Sequence, residues 1–151
     1  MYLYLNTTDH NFIHLALIKP TGQILVTKKI SAPYQQSEKL LLNIQKILTS
    51  AKFPLTKIAG IIVIKGPGGF TSLRIGLGVA NALAWSLQIP IVGVESKCQS
   101  VKVSKCQGLS AKLMDEDKLI RQGLLKLKKT KYFKPIMPKY GSEPHITIKN
   151  K

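Results

Sequence analysis

Apolar and polar positions divide the chain into short elements of two kinds. Leu3 and Leu5 alternate with Tyr2, Tyr4 and Asn6, and the polar cluster Asn6-Thr7-Thr8-Asp9 closes the run, which predicts a first strand ending in a turn. Phe12 to Ile18 reads as a second strand, Pro20-Thr21-Gly22 as a turn, and Ile24 to Ile30 as a third strand with Lys28 and Lys29 near its end. Three strands so closely spaced predict an antiparallel meander. From Ser37 to Ala51 the period changes: Leu40, Leu41, Ile44, Ile47, Leu48 and Ala51 fall within an arc of about 120° on a helix, opposite a face that is polar except for Leu42. The continuous apolar run Ile58 to Ile64 is of the kind buried on both faces of a sheet. A loop, Gly66-Pro67-Gly68-Gly69, leads into a helical pattern from Phe70 to Leu87, and Pro90 to Val94 forms another short strand, so a right-handed parallel crossover is expected.

The helix at 70–87 has two apolar faces. Leu73, Gly76, Leu77, Ala80, Ala84 and Leu87 share one, Ile75, Val79, Ala82 and Leu83 the other, and Arg74 and Asn81 form a narrow polar wedge. A helix on a sheet needs one apolar stripe. The second face requires a second partner, either the helix at 37–51 or another protein, and the four-residue spacing of Gly76, Ala80 and Ala84 would let a helix approach closely.

The last third differs in kind. Residues 1–96 carry 9 basic and 3 acidic side chains, whereas 97–151 carry 14 and 4, so most of the net charge of +16 sits in the shorter part. Its one clear element is a helix over 115–129, with Asp115, Glu116 and Asp117 in the first turn and Lys126, Lys128 and Lys129 in the last, a distribution that suits the helix dipole. From Thr130 the tail, with Pro135, Pro138 and Pro144, is expected to be extended, with too little apolar content for a core of its own. Such a charge balance fits RNA or an acidic protein as partner. Lys126, Lys128, Lys129, Lys131 and Lys134, interleaved with Tyr132, Phe133 and Tyr140, are the candidate RNA contacts of a basic RNA-binding module, here tRNA, in residues 97–151.

Other chemistry is sparse. Cys98 and Cys106 make neither a disulfide framework nor a zinc site. His10 and His14 have a zinc-like spacing but fall at a turn and in a strand, so no metal site is expected. The glycine-rich loop at 66–69 lacks the Lys-Ser/Thr of a P-loop and the third glycine of a dinucleotide fingerprint, so a tight turn is favoured over a nucleotide site and no cofactor is expected. Carboxylates, serines and cysteines assemble no catalytic constellation. Ile75 to Val94 is uncharged over a membrane-spanning length, but Asn81, Ser86, Gln88 and Pro90 argue for a buried helix and strand, and the N-terminus lacks the parts of a signal peptide. A cytoplasmic protein without membrane contact is expected.

The run Gly66-Pro67-Gly68-Gly69-Phe70-Thr71-Ser72-Leu73-Arg74-Ile75-Gly76 closely resembles the signature of the TsaB family, the dimerization subunit of the bacterial machinery that makes threonylcarbamoyladenosine in tRNA. Leu3 to Thr8 resembles that family's opening strand and phosphate-loop relic, Ser37 to Leu41 its first long helix, and Ile89 to Val94 the strand after the signature. The resemblance implies the α/β N-terminal lobe of the actin-like ATPase (ribonuclease H-like) superfamily in residues 1–96, with a mixed five-stranded sheet and helices. It further implies a non-catalytic scaffold whose two long helices pack against those of a TsaD-like catalytic subunit, with a TsaE-like ATPase subunit as a further associate. By position, Leu42, Leu73, Leu77, Ala80 and Ala84 are the interface candidates, and Gly66, Pro67, Gly68, Gly69, Phe70, Thr71 and Arg74 the signature loop. Two departures stand out: Asn6 takes the place of the family's aspartate, and 97–151 is expected to be a strongly shortened second lobe.

Overall fold

A computed structural model describes residues 1–96 and 116–140 of the chain. Five strands, β1 (Tyr2–Asn6), β2 (Phe12–Ile18), β3 (Ile24–Ser31), β4 (Gly60–Gly66) and β5 (Ile91–Glu95), form one sheet in the order β3-β2-β1-β4-β5. The first three pair antiparallel, as the tight turns require, and β1-β4-β5 pair parallel through two helical crossovers. Those helices are α1 (Gln36–Ser50) and α2 (Phe70–Ser86). The expected mixed sheet is therefore present, with small shifts at the ends of its elements. Ile58, expected to open the fourth strand, instead closes a 3₁₀ turn at Leu55–Lys57, its N–H donating to the Leu55 carbonyl, and β4 starts two residues later.

Strand alternation assigns each face its own core. Leu3, Leu5, Leu15, Leu17, Ile61 and Val63 point to one side, where Leu40, Ile44 and Ile47 of α1 and Leu77, Ala80 and Ala84 of α2 cover them. Tyr4, Ala16, Ile18, Ile62, Ile64, Val92 and Val94 point to the other. That side is covered by α3 (Glu116–Lys129), through Leu119, Ile120, Leu124 and Leu127. The described part of the basic segment thus completes the second core of the sheet. Gly123 brings α3 into contact with the centre of the sheet, since a Cβ there would overlap the side chain of Ile62. Asp115, expected in the first turn of this helix, lies outside the described residues, as do Cys98, Cys106 and the end of the tail.

After α3 the chain is extended, and it passes around the β5 side of the sheet from one face to the other. Lys126 of α3 donates from Nζ to the Gly93 carbonyl, while Ile136 packs against Gly93 and binds Asn81 of α2. No helix among the described residues is long and apolar enough to cross a membrane.

Candidate functional site

Two surfaces come out of this fold, the β4–α2 loop with its surroundings and the outward side of the helix pair. The loop is fastened from three directions. Gly66 holds φ of 127°, a conformation open to glycine, and the Gly66–Pro67 bond is cis. Gly69 N–H donates to the Thr8 carbonyl at 3.2 Å, and Thr7 Oγ1 donates to the Ser72 carbonyl at 2.8 Å. Gly76 lies under Thr7 so closely that a Cβ would overlap the hydroxyl. The β1–β2 turn, which the resemblance makes a phosphate-loop relic, is therefore packed onto the first turns of α2. Asn6 organises that turn: its Oδ1 accepts from the backbone N–H (3.0 Å) and hydroxyl (2.8 Å) of Thr8.

The polar wedge of α2 belongs to the tail. Asn81 forms a reciprocal pair with the backbone of Ile136, Nδ2 to the carbonyl and N–H to Oδ1, both at 2.9 Å. Arg74 donates from Nε to the Tyr140 hydroxyl at 2.9 Å and lies over the Phe70 ring at 3.8 Å, and the Phe70 and Tyr140 rings are 4.7 Å apart. Lys139 N–H donates to the Lys65 carbonyl at 2.7 Å. Beside it Glu95 pairs with Lys65 (3.0 Å) and Lys139 (2.7 Å), and hydrogen bonds from Lys139 first and Lys65 second hold its carboxyl down at about 2. Of the three aromatics interleaved with the tail's lysines, Phe133 and Tyr140 are engaged in this packing, and only Tyr132 stands out in solvent.

Glu116 enters the ends of β1 and β2 from the first turn of α3. Tyr4 donates its hydroxyl to Oε2, Asn6 Nδ2 donates to Oε1 at 3.1 Å, and His14 Nδ1 lies 3.6 Å from Oε1. Burial chiefly, and then the carboxylate's charge and hydrogen bond, push the Tyr4 phenol far above its ordinary range. His14 is lowered from 6.5 by burial, with Lys29 adding to the effect and Glu116 and Asp9 opposing it. A depressed histidine is neutral in the native state and takes up a proton on unfolding, so its contribution is full above pH 6.5 and declines as pH falls below it. Urea unfolding at a series of pH values should show stability dropping below 6.5 in the native chain and a flatter profile for His14→Gln; equal slopes would contradict this account. No group of three or more His, Cys, Asp or Glu that could hold a metal ion occurs among the described residues.

The interface candidates do not lie together. Leu73, Leu77, Ala80 and Ala84 are at most 3% exposed and face the sheet, so the chain itself covers them. Of the two apolar faces of α2, the one that meets the sheet carries Leu73, Leu77, Ala80 and Ala84, whose small residues allow close packing. Leu42 is 56% exposed. What remains outward on α2 is the row Ile75, Gly78, Ala82 and Trp85, next to a groove of about 450 Å³ lined by Leu41, Leu42, Gln45, Phe53, Leu55 and Leu83. Leu41 and Trp85, left out by sequence reasoning, are both more than half exposed on this side. Their signal was present: Trp85 lies two turns from Gly78 on one line of the helix.

The sequence model of the TsaD family, described as tRNA N6-adenosine threonylcarbamoyltransferase, matches residues 31–115, more than half of the chain. The chain belongs to that family. It is similar both to TsaB proteins and to the transferases themselves: the tRNA threonylcarbamoyladenosine biosynthesis protein TsaB of Escherichia coli K12 is 38% identical over 64 residues, covering 42% of this chain and 28% of that protein, and the tRNA N6-adenosine threonylcarbamoyltransferase of Geotalea daltonii is 42% identical over 57 residues, covering 38% of this chain and 17% of that protein. TsaB of Buchnera aphidicola from Schizaphis graminum is 31% identical over 88 residues, 58% of this chain and 42% of its own length. The structure of YeaZ from Pseudomonas aeruginosa superposes with a TM-score of 0.57 at 30% identity, over 62% of this chain and 43% of that one. The chain thus spans less than half the length of each of these TsaB-type relatives, its fold is α/β of actin-like type, and the stretch matched by the family model includes the signature loop.

Proposed function

We propose that this chain is a non-catalytic scaffold subunit in threonylcarbamoyladenosine biosynthesis, binding a TsaD-type catalytic subunit through the outward side of α1 and α2. The observation that carries the reading is Gly78. A glycine inside a helix costs about 1 kcal/mol relative to alanine, and close internal packing explains Gly76 and Gly123, but a Cβ at Gly78 would meet nothing within 4 Å. Among the described residues nothing in the fold calls for this glycine. With Ala82 one turn on and Trp85 two turns on, it offers a flat apolar crossing point for another helix, and the groove lined by Leu41, Leu42 and Leu83 lies on the same helix pair.

The acidic groups near the signature loop support a structural role. Glu116 anchors α3 through Tyr4 and Asn6, and Glu95 fastens the tail through Lys65 and Lys139. Co-expression with the TsaD-type protein of the same genome tests the proposal: a complex should co-purify and transfer threonylcarbamoyl to tRNA while the chain alone does not. Turnover by the chain alone, or two soluble proteins that never co-purify, would refute it.

A further inference from the structure

The helix pair occupies one face of the sheet, so a partner bound there leaves the other face open. That face is basic. From Lys118 to Ser142 the sequence holds 8 basic residues and no acidic one, seven of them lysines. The apolar side of α3 is spent on the sheet, which turns Lys118, Arg121, Lys126, Lys128 and Lys129 outward, and the tail continues the strip with exposed Lys131 and Lys134. Lys139 alone of the eight is in an ion pair among the described residues.

The helix dipole accounts for Lys126, Lys128 and Lys129 but not for the rest, because Lys118 stands in the first turn, where a cation is unfavourable. A helix that merely needs solvation gains from Glu and Lys four residues apart, and past Asp117 α3 has no acidic residue to make such pairs. We infer that the outer face of α3 and the following tail form a docking strip for the phosphate backbone of RNA. α3 presents its cations over about 17 Å of helix, and Tyr132, 81% exposed among Lys131 and Lys134, supplies a free ring on which an unpaired base can stack. An acidic protein is the poorer fit: separate carboxylates are best held by the two-pronged guanidinium, and the strip has one arginine against six lysines, which act as point charges toward a diffuse array of phosphates.

Fluorescence anisotropy with the full chain and an unmodified tRNA transcript, over a range of salt, tests this directly. Binding should weaken steeply with salt, and the triple variant Lys128→Glu, Lys129→Glu, Lys134→Glu should weaken it at all salts and reduce the log–log slope by about 1 per lysine. Tyr132→Ala should cost about ten-fold in affinity and leave the slope unchanged. The charge-matched control Lys46→Glu, Lys52→Glu, Lys57→Glu changes exposed lysines away from the strip and should bind as the native chain does. Equal loss in the control, equal binding of polyglutamate, or no binding at low salt would overturn the inference. Because α3 and the helix pair lie on opposite faces of the sheet, the double variant confined to α3, Lys128→Glu with Lys129→Glu, should still co-purify with the TsaD-type subunit, which separates failure here from failure of the scaffold reading.

Discussion

Gly78→Arg is expected to abolish association with a TsaD-type subunit while leaving the isolated chain as stable as before. The position is exposed on α2, and there is open space beyond it. Arginine is a good helix former, so the lone chain loses nothing and gains back part of the glycine's cost of about 1 kcal/mol. In a complex that uses this crossing point, the same side chain buries an unpaired charge at the contact, which costs about 3–5 kcal/mol, or about a hundred-fold or more in affinity. Gly78→Ala provides the graded comparison: a small gain in stability and a smaller loss of binding. Urea unfolding of the free chain and a binding titration with the partner measure the two effects. Unchanged affinity for Gly78→Arg would remove this face from the interface.

The second large effect concerns α3. Ending the chain at Ser96 is expected to give a product that binds hydrophobic dyes and aggregates, although every strand of the sheet is retained. Tyr4, Ala16, Ile18, Ile62, Ile64, Val92 and Val94 form a continuous apolar face, and among the described residues α3 is the element that covers it. A milder version is Gly123→Val. Valine would force its branched side chain into Ile62, so α3 must lift or the core must shift, at a cost of about 1–3 kcal/mol. Replacing glycine by a side chain in an exposed helix usually stabilises; the opposite sign here is diagnostic of close packing. Denaturation midpoints that do not fall for Gly123→Val would mean α3 is not seated on β4.

Periodicity revealed the sheet because each of its signals is local. Alternation in β1, the meander turns and the apolar run of β4 are decided within a few residues, and their order then leaves little freedom in topology. The signature loop was legible in part: Gly69 and Gly76 answer contacts to the adjacent β1–β2 turn, whereas Gly66 makes room for the Lys139 carbonyl of the tail, which no local signal announces. The outward face of α2 was not legible. Its two apolar stripes have similar composition, and which one meets the sheet depends on how the helix is rotated, a tertiary matter fixed by the fit of Ala80 and Ala84 against the strands.

The partners of Arg74 and Asn81 were hidden for a different reason. They lie 66 and 55 residues away in the tail, where Tyr140 and Ile136 give no periodic signal. A longer separation, 112 and 110 residues, concealed the role of Glu116, which looked like a residue suited to the helix dipole and also anchors α3 at Tyr4 and Asn6.

Hydrogen–deuterium exchange on the full chain, with and without a saturating TsaD-type subunit, puts the central claim to its most direct test. Protection should appear on α1 and α2, around Leu41 to Gln45 and Ile75 to Trp85, with α3 unchanged. Protection confined to α3 and the tail, or none at all in a mixture of two folded proteins, would contradict the account.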